Sequence, residues 1–344
     1  VPDLPGDVIQ VVARSSVGGV ALTKNGEVYS WGYGTNNANG NGNNADNPTP
    51  MPVLGLEGIA IAEIVGRAQY GGFALTPDGK VYAWGRGTYG AVGNGSTADN
   101  VTAGLVKGLP AGVTKVFARN SEGGYALTPD GGVYSWGRGT NGQNGNGGTA
   151  NNLTAQPVQG LEGLTVVDMV TRGQTGTSGA YALTSDGQVY SWGVGTSGSN
   201  GNGSTGTNLT AQPVQGLPTN VSQLIDRAGA GGYALTTDGK VDAWGQGQYG
   251  ANCDGGTANN LTADLVQGLP TNVTEVVARG ANGGYALTTD GKVFSWGQGT
   301  SGANGNGGTA NNLVAAEDSG LDFNRVIMTP LSETPNGEFI TRDY

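Results

Sequence analysis

Apolar residues along this chain come in short runs of alternating character, none long enough to make a helix. A representative block runs from Tyr285 to Thr288 (Tyr-Ala-Leu-Thr), through Asp290-Gly291, and into Val293 to Trp296 (Val-Phe-Ser-Trp). A period of two puts the aromatic pair on one face of the returning strand and Val with Ser or Ala on the other. The junctions are Asn25-Gly26, Asp78-Gly79, Asp130-Gly131, Asp186-Gly187, Asp238-Gly239 and Asp290-Gly291. Both residue types tolerate positive φ, so each junction predicts a hairpin. A Gly/Asn/Thr-rich loop follows each hairpin, then a short run such as Thr154 to Val158, then Gly-Leu. A fourth run, such as Val273 to Ala278, leads into the next hairpin. No window shows a 3.6-residue period, and so much glycine opposes helix.

All six tryptophans sit in Trp-Gly dipeptides, at Trp31, Trp84, Trp136, Trp192, Trp244 and Trp296, spaced 53, 52, 56, 52 and 52 residues apart. Four short antiparallel strands repeated about an axis make propeller blades, and a ring leaves fewer bare edges than an open stack. The expected fold is all-β: one β-propeller domain over 1–344, with six complete four-stranded repeats and a partial seventh blade from the two termini. Its repeats lie near 18–70, 71–122, 123–178, 179–230, 231–282 and 283–334, with half-repeats at 1–17 and 335–344. Val8 to Arg14 and Arg325 to Met328 match the fourth run, and Asn336 to Asp343 resembles Asn282 to Asp290. Pairing these fragments would close the ring; the alternative is a C-terminal tail. An insertion near Gly173 to Ser178 lengthens one loop.

Composition narrows the chemistry. Glycine supplies 67 of 344 residues without a Gly-X-Y period, beside 36% apolar residues, which fits a turn-rich β protein. With 16 basic against 26 acidic residues, a net charge of −10 argues against nucleic acid as a partner. No apolar run reaches membrane-spanning length, so no membrane insertion is expected. The first residue is Val1 rather than Met, which fits removal of a leader or neighbouring domain. Histidine is absent, removing the commonest general base and metal ligand. Cys253 stands alone, which leaves no disulfide framework or thiolate metal cluster. Neither a phosphate loop nor an acidic calcium ladder is present. No cofactor, metal or catalytic residue is expected.

The stretches Ala-Leu-Thr-x-Asp-Gly-x-Val-Tyr-x-Trp-Gly, as in Ala126 to Gly137, with Gly-x-x-Gly-x-Gly after them, as in Gly142 to Gly147, resemble the regulator of chromosome condensation repeat family. The resemblance covers nearly the whole chain. It implies the propeller fold, usually with seven blades, and little more, since function resides in sites rather than folds. Its best-known role, nucleotide exchange on a small GTPase with chromatin attachment, is disfavoured by the acidic charge and the lack of a basic tail. Enzyme inhibition by a similar fold stays open.

Departures from the family pattern are regular. Glycine stands where the family usually has histidine, at Gly71, Gly123, Gly231 and Gly283, and asparagine replaces a core leucine at Asn144 and Asn200. Arginine replaces a small residue at Arg14, Arg67, Arg119, Arg172, Arg227 and Arg279, forming an arginine ring. Two roles compete for it. The first is filling the space left by histidine, with stacking on an aromatic and donation to carbonyls. The second is anion capture at one mouth of the channel. The paired losses and gains favour the first.

Recognition is sought where the copies differ, in the loop after Trp-Gly. Tyr33, Arg86, Tyr89, Arg138, Asn141, Gln246, Tyr249 and Gln298 are the candidate partner-binding residues, gathered on one face. Asp242, where other copies have Tyr or Phe, is expected at the solvent rim, because a buried unpaired carboxylate is costly. Cys253 is expected as a free, weakly exposed thiol. Eight sequons, at Asn94, Asn100, Asn152, Asn202, Asn208, Asn220, Asn260 and Asn272, are a weak glycosylation signal. The expected function is non-catalytic: an extracellular, cell-surface or virion-surface propeller that binds a protein or glycan through the variable loops. The alternative is a self-assembling structural subunit of a surface layer, filament or virus particle.

Overall fold

The computed structural model describes residues 4–172 and 179–318. Within them lie six four-stranded antiparallel sheets, spanning 8–52, 63–105, 115–157, 166–213, 221–265 and 273–317, each with its strands in chain order. These are the blades of a β-propeller. Blade 1 consists of β1 (Val8–Ala13), β2 (Gly18–Thr23), β3 (Val28–Gly32) and β4 (Asn47–Pro52), and the other five repeat it. First strands of successive blades touch one another, which places them nearest the common axis. Between blades 1 and 2, the Gln10 side chain both donates to the Ile64 carbonyl (3.1 Å) and accepts from its amide (2.8 Å).

Blades begin one strand earlier than the sequence division. Val8–Ala13, assigned above to a half-repeat, pairs along β2 inside blade 1. The turn joining them is tight, with Arg14 N donating to Gly18 O and Val17 N to Arg14 O. The Gly-Leu segment, not this turn, crosses from one blade to the next. Arg325 to Met328, Asn336 to Asp343 and the insertion at Gly173 to Ser178 lie outside the described residues, and so does the ring closure that rests on those terminal fragments.

The hairpins form where the sequence places them, with a different turn. In blade 2, Gly79 N donates to Thr76 O and Thr76 N to Lys80 O, enclosing a three-residue loop in which only Gly79 has positive φ, at 78°. Asp78 instead accepts from the Thr76 hydroxyl at 2.5 Å. The Lys80 ammonium, and then that bond, hold the Asp78 carboxyl below the usual range.

Blades adhere through their aromatics. The second-strand rings of blades 2 to 5 meet the next blade's tryptophan edge-on: Phe73–Trp136 at 5.3 Å, Tyr125–Trp192 at 5.6 Å, Tyr181–Trp244 at 5.1 Å and Tyr233–Trp296 at 5.3 Å. Such pairs add about 0.5–1.5 kcal/mol beyond area burial. Indole N–H groups donate to the tyrosine hydroxyls, as Trp296 does to Tyr233 at 2.9 Å. Blade 1 carries Val20 at this position, and there the buried Trp84 Nε1 has no partner. The glycine after each tryptophan is obligatory. Gly32 has φ 95°, and a Cβ there would sit 2.1 Å from Val17 O.

Two single-residue expectations are corrected. Asp242 is buried at 6% exposure rather than at the rim, because its central strand is covered by β-neighbours on both sides. Burial, then Asp264 and Asp238, push its carboxyl up to about 6. Cys253 is fully buried against the Trp296 cluster, and burial pushes its thiol up to about 12. Among the sequon asparagines, the Asn94 amide donates to Asn100 and the Asn202 amide to Asn208, while buried Asn152 and Asn208 donate onward to Ser135 O and Ser191 O.

Candidate functional site

Antiparallel strands put the turn after the first strand and the loop after Trp-Gly at the same end of each blade. Hairpin turns and blade-to-blade crossings occupy the other end. There, a groove formed by 25–29 with 52–60 recurs at the equivalent positions of blade 3, so it belongs to the shared frame. The loop end is where the copies diverge.

The six ring arginines lie inside their blades beneath that end. Arg14 donates to Trp31 O (2.7 Å), Ala38 O (2.9 Å), Tyr33 O (3.2 Å) and Asn39 Oδ1 (2.6 Å). Arg227 repeats the pattern on Trp244 O, Gln246 O and Asn252 Oδ1. The guanidinium groups of Arg67, Arg119, Arg172, Arg227 and Arg279 stack 4.7–5.1 Å from Phe73, Tyr125, Tyr181, Tyr233 and Tyr285. Glycine at the former histidine position makes room: a Cβ on Gly179 would lie 2.4 Å from the Arg172 guanidinium. The asparagines that replace the family's leucine are the arginines' acceptors, so three departures form one network. Blade 2 has Val92 in place of that asparagine, and burial pulls Arg67 down to about 9, against about 10 for Arg14. Both remain charged at neutral pH. Each Nε goes without a hydrogen bond, a small recurrent cost.

Above this layer, blades 2 and 3 carry a groove of about 540 Å³ lined by Tyr70, Arg86, Tyr89, Glu122 and Arg138 among others. The Arg86 guanidinium lies 4.8 Å over the Tyr70 ring, and its Nε donates to Thr88 Oγ1 at 3.1 Å. Arg138 lies 5.1 Å over the Tyr89 ring, and its Nε donates to Thr140 Oγ1 at 2.9 Å. Arg138 also pairs with Glu122 Oε1 at 2.6 Å. Two stacked guanidinium groups thus stand side by side at one rim. Tyr89 reaches its place with φ 65°, and Tyr249 has φ 64°. Such values are outliers for bulky residues and mark constrained sites.

The structure brings Arg86, Tyr89 and Arg138 together. Tyr33 is exposed on blade 1, and the Asn141 backbone N–H donates to Gln143 Oε1 (2.6 Å). In blade 5, Gln246 bonds Gln248; in blade 6, Gln298 bonds Asn282. Tyr249 completes the equivalent loop of blade 5 without joining the groove. Sequence reasoning missed Tyr70 and Glu122. They stand just before the Gly that opens the second strand and face Arg86 and Arg138 across it. The signal was variation at that position (Val17, Tyr70, Glu122, Ala230, Asn282) matched to variation 16 residues later. Among the described residues, no group of three or more acidic or thiol side chains could hold a metal ion. Nor is any helix long and apolar enough to cross a membrane.

The family model for the regulator of chromosome condensation (RCC1) repeat matches residues 25–68, 78–118 and 130–177. Those three stretches are RCC1 repeats. Regulator of chromosome condensation from Mus musculus is 28% identical over 98% of this chain and 84% of its own length. E3 ubiquitin-protein ligase HERC2 of Mus musculus is 31% identical over 93% of the chain, but the chain spans 7% of that protein. Ultraviolet-B receptor UVR8 of Arabidopsis thaliana is 29% identical over 85% of the chain and 66% of its own length. Human WBSCR16 shares the fold, with a TM-score of 0.66 at 20% identity over 92% of this chain and 83% of that one. Prp20p of Saccharomyces cerevisiae, whose structure is titled for its binding to Gsp1p and histones, has a TM-score of 0.61 at 20% identity over 90% and 76%.

Relatives named for chromosome condensation and ubiquitin ligation are intracellular regulators. They overturn the expectation of an extracellular, cell-surface or virion-surface module, and with it that of a surface-layer, filament or virus-particle subunit. Neither a glycan ligand nor self-assembly finds support among them.

Proposed function

We propose that this chain is an intracellular, non-catalytic regulatory propeller that holds a protein partner at its loop end, over blades 2 and 3. The observation that carries the proposal is the pair of stacked units, Tyr70–Arg86 and Tyr89–Arg138, standing together on an otherwise uniform frame. Rigid aromatic and arginine side chains are the usual anchors of protein interfaces, because they bring large contact area at low entropic cost. Prp20p, the yeast RCC1, is similar in fold; it binds Gsp1p and histones and was solved bound to Kap60. The absence of histidine and the lone buried thiol argue against catalysis by this chain.

The test is affinity capture with wild type and with a triple variant, Arg86→Ala, Tyr89→Ala and Arg138→Ala, that keeps its circular dichroism. A captured protein should bind the purified wild type with fixed stoichiometry and bind the triple variant at least tenfold more weakly. Equal binding to both would place the site elsewhere.

A further inference from the structure

In blade 3 the rim arginine has a carboxylate of its own. Glu122 approaches Arg138 to 2.6 Å while the Tyr89 ring supports the guanidinium face. In blade 2 the residue at the Glu122 position is Tyr70, which supplies a ring to Arg86 instead. Among the described residues, no carboxylate pairs with Arg86, in a protein with ten more acidic than basic residues. Its Nε is committed to Thr88, and among the described residues its two terminal nitrogens meet no protein acceptor. A guanidinium held flat on an aromatic ring presents that edge as a fork matched to a planar carboxylate.

We infer that Arg86 receives in trans the carboxylate that Glu122 gives Arg138 in cis, from an Asp or Glu side chain of a partner segment lying in the groove between blades 2 and 3. The inference rests on the protein-binding role proposed above and names the chemistry of the segment. Tyr70 and Tyr89 flank the slot, so the segment carries apolar or aromatic residues beside its acid. Glu122 does more than neutralise Arg138. It closes the neighbouring slot, which makes the groove selective for one well-placed acid over a dense run of them.

The decisive variant is Tyr70→Glu, which copies the blade 3 arrangement into blade 2 and fills the slot from within. The probe is a fluorescein-labelled, acetylated peptide of sequence Phe-Glu-Leu-Glu-Phe, followed by anisotropy against the full chain. Tyr70→Glu and Arg86→Gln should each weaken binding at least tenfold with an unchanged thermal midpoint, whereas Gln212→Ala, on the last strand of blade 4, should leave it within twofold. Arg86→Lys, which keeps charge but loses the fork, should weaken it several-fold. Undiminished binding by Tyr70→Glu would overturn the inference, as would equal binding of a Phe-Lys-Leu-Lys-Phe peptide. Tighter binding of a peptide with phosphoserine in place of glutamate would overturn the choice of a carboxylate. A partner lost from the triple variant but indifferent to Tyr70→Glu would sink this inference alone. Absence of any partner would sink the broader proposal.

Discussion

Two kinds of arginine occur among the described residues, and their surroundings assign them different work. Arg227 gives its donors to Trp244 O, Gln246 O and Asn252 Oδ1 in a buried layer. Arg227→Met leaves those acceptors unsatisfied and should cost about 2–4 kcal/mol by urea unfolding. Arg86 stands half-buried on the rim, and Arg86→Met should fall within about 0.5 kcal/mol of wild type in the same assay. A comparable cost for both would show that the rim arginine also belongs to the frame. Asp242 gives a pH signature. Its folded carboxyl, pushed up to about 6 from 3.8, holds its proton more tightly than the unfolded chain does. Its contribution is therefore most favourable below about pH 4 and is lost as pH rises to about 6. Asp242→Asn should stabilise the protein at pH 7.5 and leave it little changed at pH 4, as urea midpoints at the two values will show.

Between blades, the recurring joint is a second-strand aromatic against the next tryptophan, and blade 1 is the exception. Val20 offers Trp84 neither an edge nor a hydroxyl acceptor, so the junction of blades 1 and 2 lacks both terms. Val20→Tyr should restore them, adding about 1–2 kcal/mol and raising the calorimetric midpoint by a few degrees. An unchanged or lowered midpoint would mean that the ring does not fit. Strands and hairpins were legible in the sequence because period-two alternation and Asp-Gly punctuation report directly on local backbone. Their grouping was not. The run Val8–Ala13 looks the same whether it ends one blade or begins the next, and only the tight turn at Arg14 decides. Arg86, Tyr89 and Arg138 stood out as loop variants, whereas Tyr70 and Glu122, in the turn ahead of the second strand, went unmarked until the fold set them opposite the arginines. Asp242 and Cys253 were misplaced for a related reason: burial depends on neighbouring strands that a linear pattern does not show.

For the molecule as a whole, charge sets a tension. A net charge of −10 repels an acidic partner at long range, while Arg86 attracts it at contact. Salt screens the first over a Debye length of about 10 Å at 0.1 M and weakens the second less, because that contact is partly desolvated. Raising salt from 20 to about 150 mM should therefore speed association of the acidic probe, the reverse of ordinary steering. Stopped-flow mixing measures this, and an association rate that falls with salt would mean that the local field around the groove outweighs the global one.

The left-handed backbone at Tyr89 and Tyr249 has a practical consequence for anyone engineering this scaffold. Holding an L-residue there costs about 1–2 kcal/mol, which glycine would largely avoid. Heat-resistance screening would therefore favour glycine at both positions, less so at 89, where the platform under Arg138 is also lost. A population selected only for survival at high temperature would drift toward a smoother, hardier propeller that has lost its grip.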